Sequence, residues 1–229
     1  MKYFRSALLL ALFSIILSCT PTVSDQQEGN KEEKPLKVIL MIGDGMGLAQ
    51  VGAAMIANPK LNLERTQVTG LVTTHSADNL ITDSAAGGTA LATGNKTYNG
   101  AISVDTTGAP LKTLVEYAEE NGMNTGVIAT SSITHATPAS FFAHNKTRQD
   151  DEGIASDLLK SGVDVFMGGG RKFFAQRNDK VNLISELESN GYFLAKTMDE
   201  VKSANAEKLG YFIDDEQPVS YVSGRGNFL

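Results

Sequence analysis

The chain alternates between short continuous apolar runs and segments in which apolar residues recur at helical spacing. Continuous runs are typical of strands buried on both faces of a parallel sheet. Such runs predict strands over residues 37–43, 68–74, 124–130 and 163–167. Apolar residues at intervals of three and four predict helices over residues 47–57, 84–92, 110–121, 152–160 and 181–190. This alternation predicts an α/β domain with a mostly parallel sheet and helices on both faces.

The N-terminal residues have a different pattern from the rest of the chain. Lys2 and Arg5 precede an apolar run over residues 8–17, which is too short for a comfortable membrane span. The run ends in Ile-Leu-Ser-Cys, which resembles a bacterial lipobox. We therefore predict a signal peptide over residues 1–18, lipid attachment at Cys19, and a place in the bacterial cell envelope on the periplasmic or extracytoplasmic face. The alternative is that Cys19 is a buried core cysteine.

The segment that follows is polar and charged. Residues 19–35 are nearly free of large apolar side chains, which predicts a flexible tether between the membrane and a domain over 36–229. The net charge of −6 argues against a general nucleic-acid surface. A single cysteine leaves no disulfide framework, and 41% apolar residues are ample for a core.

The run Thr-Asp-Ser-Ala-Ala-Gly-Gly-Thr-Ala-Leu-Ala-Thr-Gly places Ser84 beside Asp83 at the predicted start of a small-residue helix. A helix start presents unpaired N–H groups and the positive end of the dipole, so it favours anions. Ser84 is therefore a candidate nucleophile for an anionic substrate. The alternative is a serine that only caps a buried helix.

Further polar clusters follow other predicted strands, at the edge where parallel sheets bind ligands. Asp44 lies between glycines, which suits a divalent cation but is also typical of a turn. The glycine spacing does not match a dinucleotide site, because Leu48 takes the place of the third glycine. His135 and Thr137 are two residues apart, so in an extended segment both side chains would point the same way, towards a metal or the residues around it. A lone loop histidine, however, is more often solvated.

Arg148 is a candidate phosphate clamp, because a guanidinium binds two phosphate oxygens in a fork. The alternative is a surface arginine that pairs with Asp150 or Asp151.

Taken together, these motifs resemble the alkaline phosphatase family of metal-dependent phosphomonoesterases. The similarity runs from about residue 38 to about residue 174, with Gly-Asp-Gly-Met-Gly, the Asp-Ser-Ala run, Thr-His-Ala-Thr-Pro-Ala and Met-Gly-Gly-Gly-Arg in family order. The resemblance implies a three-layer fold and hydrolysis of phosphate monoesters through a phosphoserine. It also implies a site with two zinc ions and one magnesium ion.

The resemblance assigns a role to each matching residue. Ser84 would be the nucleophile and a ligand of one zinc, and Asp44 would bridge that zinc and a third metal, usually magnesium. Thr137 would bind the third metal, and His135, where some family members have aspartate, would lie in or beside its shell. Arg148 would clamp the phosphate. Asp83 would orient Arg148.

The family builds its zinc pair mainly from Asp and His residues of the C-terminal half, but no histidine follows Arg148 in this chain. Three histidines in all cannot supply two zinc sites. We therefore expect an N-terminal part of a phosphatase, with an α/β fold incomplete at the C-terminus. The alternatives are a catalytically silent truncated lipoprotein and a related metal-dependent phosphodiesterase or sulfatase. Expected partners are small phosphomonoesters, a membrane through the lipid anchor, no nucleic acid, and a second copy in the full-length form.

Overall fold

The computed structural model describes residues 37–58 and 60–225. The predicted signal peptide, Cys19 and the tether lie outside these residues. The chain divides into two compact units, residues 1–42 and 43–229. Within the described ranges, no helix is long and apolar enough to cross a bilayer.

The second unit contains a four-stranded parallel sheet with the order β1-β2-β4-β3. Its strands are β1 Gly126–Ser132, β2 Val165–Gly169, β3 Tyr192–Ala195 and β4 Lys208–Phe212. Every neighbouring pair is parallel, as in the pairing of Val127 with Phe166 and of Phe166 with Gly210. The sequence-based prediction of an α/β fold with a parallel sheet is confirmed.

The described part of the chain also contains helices, of which the first three precede β1 and the others lie between the strands in chain order. They are α1 Leu48–Ala57, α2 Ser84–Thr93, α3 Leu114–Glu120, α4 Ala136–Ala139, α5 Asp151–Lys160, α6 Lys172–Ala175, α7 Leu183–Ser189 and α8 Met198–Ser203. A 3₁₀ turn covers Asn62–Arg65, and a turn with π-type hydrogen bonds covers Tyr221–Arg225.

The core lies on both faces of the sheet because neighbouring residues of a strand point to opposite faces. Phe166 of β2 packs in the larger cluster, with Phe174 of α6 and Leu158 of α5. The next residue, Met167, belongs to a smaller cluster, against which Met198 of α8 packs. Both clusters combine strand and helix residues, as expected for a layered α/β domain.

Two predicted strands are wrong. In the first unit, residues 37–42 form no strand, and Ile39 and Met41 are 88% and 89% exposed. In the second unit, residues 68–74 form no strand, and Leu71 is fully exposed. An apolar run is competent for a strand but forms one only where another strand supplies hydrogen-bond partners.

Other elements occur close to where they are predicted, with shifted ends. The helix predicted from residue 110 begins at Leu114, because Thr113 forms its N-cap and Pro110 instead pairs with Val104 in an isolated bridge. The Thr113 hydroxyl accepts from the Glu116 amide at 3.2 Å. β1 and β2 each begin two residues later than predicted. The pair β3 and β4, with α8 between them, was not predicted from the pattern.

Candidate active site

Asp83 forms the N-cap of α2. Its backbone is extended, with φ −106° and ψ 176°, and its Oδ1 accepts a hydrogen bond from the Ala86 amide at 2.9 Å. Ser84 is therefore the first residue of the helix, and the alternative of a capping serine is wrong. Because Asp83 satisfies the helix start, the Ser84 hydroxyl is available for other contacts.

The Ser84 hydroxyl reaches Asp44. Its Oγ lies 3.1 and 3.0 Å from the two carboxylate oxygens, to which it donates. The Thr137 hydroxyl donates to Oδ2 of the same carboxylate at 2.9 Å. Three segments far apart in the chain thus bring a carboxylate and two hydroxyls together.

Close helix packing brings Thr137 to this position. Gly88 of α2 faces the short helix α4, where an added Cβ would lie 2.8 Å from the Ser140 Oγ and 3.5 Å from the Thr137 Cα. The absence of a side chain at Gly88 therefore allows α2 to approach the turn that carries Thr137. Ser140, next to α4, donates to the carbonyl of Ala136 at 2.8 Å and closes this turn.

The predicted extended segment around His135 is wrong. His135 is the N-cap of α4, so Thr137 already lies in a helical turn. The two side chains consequently reach different partners. Thr137 contacts Asp44, whereas the His135 Nε2 lies 3.3 Å from Nη2 of Arg148.

Arg148 pairs with Asp83. Its Nη1 donates to Asp83 Oδ2 at 3.1 Å, which is the contact expected if Asp83 orients the guanidinium. The alternative pairing with Asp150 or Asp151 is wrong. Asp150 instead caps α5 through the Gly153 amide, and Asp151 accepts from the Thr134 hydroxyl.

The Asp83 carboxyl and the neighbouring His135 imidazole have shifted pKa values. Burial by itself raises the pKa of Asp83, but hydrogen bonds from the Ala86 amide and from Arg148 outweigh it, so the pKa is lowered. Burial, with a smaller contribution from the Arg148 charge, lowers the pKa of His135. A carboxylate at Asp83 and a neutral imidazole at His135 both accept hydrogen bonds, which suits their contacts with the guanidinium.

Comparison with known proteins identifies the family. The family model for alkaline phosphatase matches residues 36–223, which is most of the chain. The chain belongs to the alkaline phosphatase family.

Individual alkaline phosphatases agree with this assignment. The chain is 40% identical over 210 residues to alkaline phosphatase 4 of Bacillus subtilis, covering 83% of this chain and 45% of that protein. It is 37% identical over 226 residues to alkaline phosphatase 3 of the same organism, covering 91% and 48%. The chain thus spans about half the length of these relatives.

Solved alkaline phosphatases have the same fold. The enzyme from the Antarctic bacterium TAB5 superposes with a TM-score of 0.78 at 42% identity, covering 81% of this chain and 56% of that one. A histidine-to-aspartate variant of the TAB5 enzyme has Mg bound in its M3 site.

Gly100 is a further residue of the site, and it was not singled out from the sequence. Its amide donates to Asp83 Oδ2 at 3.1 Å, and its carbonyl accepts from the Arg148 amide at 2.8 Å. It therefore links both members of the ion pair through the backbone. Its φ of 93° is a conformation that favours glycine, and the Asn-Gly dipeptide of which it is part is a turn signal that could have drawn attention to it.

The oxygen atoms at Asp44 suit a magnesium ion better than a zinc pair. The Asp44 carboxylate and the Thr137 hydroxyl, which contact each other, are hard oxygen donors of the kind that magnesium prefers. Zinc prefers nitrogen or sulfur donors, yet no group of three His, Cys, Asp or Glu that could hold a metal occurs in the described part of the chain. His144 lies elsewhere, bonded to Glu116 at 3.1 Å. The described residues therefore fit magnesium and do not complete two zinc sites.

Proposed function

We propose that this chain serves the hydrolysis of phosphate monoesters, with Ser84 as the nucleophile. One observation carries the proposal. Asp83 caps α2, so the Ser84 hydroxyl is not needed as a cap and donates to Asp44 instead. The Asp83 carboxylate also binds the Arg148 guanidinium. A hydroxyl, two carboxylates and a guanidinium thus lie around the start of α2. Membership of the alkaline phosphatase family supports the interpretation of this arrangement as a phosphatase site.

The residues divide the work of a phosphoryl transfer. The Ser84 hydroxyl proton faces Asp44, which leaves the oxygen lone pairs available to attack phosphorus. A bond forms between Ser84 Oγ and phosphorus as the ester P–O bond breaks, and the proton that the Ser84 hydroxyl loses ends on the alcohol that leaves. Water then hydrolyses the phosphoserine, which releases phosphate and restores the hydroxyl. Arg148 contributes a fork of N–H donors for the phosphate oxygens.

The proposed metals are one magnesium and two zinc ions. Asp44 and Thr137 would hold the magnesium, with His135 nearby, and the ion would stabilise negative charge on neighbouring oxygens. Ser84 and Asp44 would contribute to one zinc site.

A second candidate is a phosphate-binding protein without turnover. This candidate is supported by the described residues, which include the Asp83–Arg148 pair but not a complete set of zinc ligands. The two candidates share Arg148 and differ in whether Ser84 is ever phosphorylated.

Catalysis and phosphate binding separate the two candidates. We expect p-nitrophenyl phosphate turnover by the chain, with Zn²⁺ and Mg²⁺ at alkaline pH, to fall at least about a thousandfold in Ser84→Ala. Ser156→Ala is the matched control, because the Ser156 hydroxyl donates to the Glu152 carbonyl within α5. Turnover that persists in Ser84→Ala would exclude Ser84 as the nucleophile. Faster hydrolysis of a phosphodiester or a sulfate ester would favour the related enzyme classes.

Calorimetric titration with inorganic phosphate tests binding. Arg148→Ala should weaken phosphate binding about a hundredfold, because a forked, charge-assisted contact is lost. Binding without turnover, lost in Arg148→Ala, would support the second candidate. A chain with neither turnover nor phosphate binding would contradict both.

The remaining proposals concern location and partners. We propose a lipid anchor at Cys19 and a place on the periplasmic or extracytoplasmic side of a bacterial envelope, with a second copy as partner in the full-length form. Incorporation of labelled palmitate should be lost in Cys19→Ala. Labelling that persists would refute the anchor.

A further inference from the structure

The side chain of Asn99 bonds to the backbone that leads to the nucleophile. Its Oδ1 accepts from the Asp83 amide at 3.1 Å, and its Nδ2 donates to the Ile81 carbonyl at 2.9 Å. The amide group thus holds this backbone at two points, a donor and an acceptor two residues apart. Both points lie within three residues of Ser84.

Asn99 is itself fixed in place. Its own amide donates to Asp78 Oδ1 at 3.1 Å, and the Ser76 hydroxyl donates to the same oxygen at 2.9 Å. Asn99 also lies inside a turn closed by the Ala101 amide on the Tyr98 carbonyl at 3.2 Å. Because Asn99 is held in this way, its side chain can fix the position of the backbone to which it bonds.

The residue after Asn99 contacts the other side of the site. Gly100 donates to the Asp83 carboxylate and accepts from the Arg148 backbone. The dipeptide therefore joins the approach to Ser84, the Asp83 carboxylate and the Arg148 segment. We infer that Asn99 is a positioning residue, which sets the Ser84 end of α2 relative to the phosphate-binding guanidinium.

The inference rests on the proposed function and predicts a local effect. Ile81 is 80% exposed, so water can replace the lost partner of its carbonyl in Asn99→Ala. The global stability should therefore change little, with a fall in Tm of less than about 4 °C. The geometry between Ser84 and Arg148 should loosen, because the two-point contact is gone.

Amide hydrogen exchange tests the positioning without any ligand. In Asn99→Ala, we expect the amides of Gly100 and Arg148 to exchange about tenfold faster, while the amide of Met167 in β2 is unchanged. Asn95→Ala is the matched control, since the Asn95 Nδ2 bonds the Thr93 carbonyl at 2.9 Å, at the other end of α2. Equal acceleration in the core, or none at Arg148, would overturn the inference.

Phosphate binding tests the link to function. The dissociation constant for inorganic phosphate should rise about tenfold in Asn99→Ala and stay unchanged in Asn95→Ala. In the Arg148→Ala background, Asn99→Ala should add less than about twofold, because Asn99 acts through the guanidinium. Additive losses would overturn the inference. A wild-type chain that binds no phosphate would contradict the proposed function instead, and the exchange result would still decide the role of Asn99.

Discussion

Asp83 and Asp44 are both carboxylates beside Ser84, but they are held in different ways. Asp83 accepts from the amides of Ala86 and Gly100 and from the Arg148 guanidinium, and it is partly buried. Asp44 is exposed and accepts from two hydroxyls. The Asp83–Arg148 side of the site is therefore preorganised by backbone donors, whereas the Asp44 side depends on side-chain hydroxyls.

The helices that follow the two carboxylates differ in the same direction. In α2, residues 85, 86, 88, 89 and 92 are buried against the rest of the second unit. In α1, none of the residues Leu48–Ala57 is buried, and Leu48 is 92% exposed. Burial on one side of a helix fixes its first turn in space, which a solvated helix cannot do. The comparison thus predicts which side of the site tolerates mutation.

The largest expected difference is in stability. Asp83→Ala should lower the free energy of unfolding by about 2–3 kcal/mol, because it removes an N-cap and leaves Arg148 without its carboxylate. Asp44→Ala should cost less than about 0.5 kcal/mol, as is usual for an exposed residue. Urea unfolding measures both values.

Asp83→Ser is the control for the cap. Serine also caps helices well, so this variant should recover roughly half of the loss and isolate the contact with Arg148. Equal costs for Asp83→Ala and Asp44→Ala would contradict the difference between the two sides.

The next effect concerns magnesium. Calorimetric titration of the chain with Mg²⁺ alone should show at least about a tenfold weaker affinity in Asp44→Asn, which loses the charge of the ligand. Thr137→Val should weaken binding less, by about threefold, since it removes a neutral donor oxygen. Thr66→Val is the matched control, because the Thr66 hydroxyl donates to Leu63. Unchanged Mg²⁺ affinity in Asp44→Asn would refute the proposal that Asp44 binds magnesium.

The smallest effect is the pH dependence of the Asp83 contribution. The pKa of Asp83 is lowered from 3.8, so the folded state binds its proton less readily than the unfolded state. The stability gained from Asp83 should be complete above that pKa and should be lost as the pH falls through the lower folded value. The difference in unfolding free energy between the wild type and Asp83→Ala should therefore shrink in acid. A difference that grows on acidification would show that the sign of the shift is wrong.

The helix α2 was predictable because its signals are local. Ser84 beside Asp83 and the run of small residues predict a helix over residues 84–92, and the helix covers Ser84–Thr93, with Asp83 as its N-cap. The strands predicted over 37–43 and 68–74 failed because pairing partners cannot be inferred from an apolar run. Asn99 was missed because its partners, Asp83 and Ile81, lie 16 and 18 residues earlier in the chain.

The sequence by itself determined the chemistry available at the site and the family to which the chain belongs. It placed a hydroxyl, carboxylates and a guanidinium in recognisable motifs, and these depend on residue type and short spacing. The tertiary structure decided their partners. Capping of α2 needs a contact only three residues away, whereas Arg148 finds Asp83 across 65 residues rather than its neighbours Asp150 and Asp151. The Arg148–Asp83 pairing depends on the contacts of the Gly100 backbone with Asp83 and Arg148. Such long-range contacts cannot be inferred from any single motif.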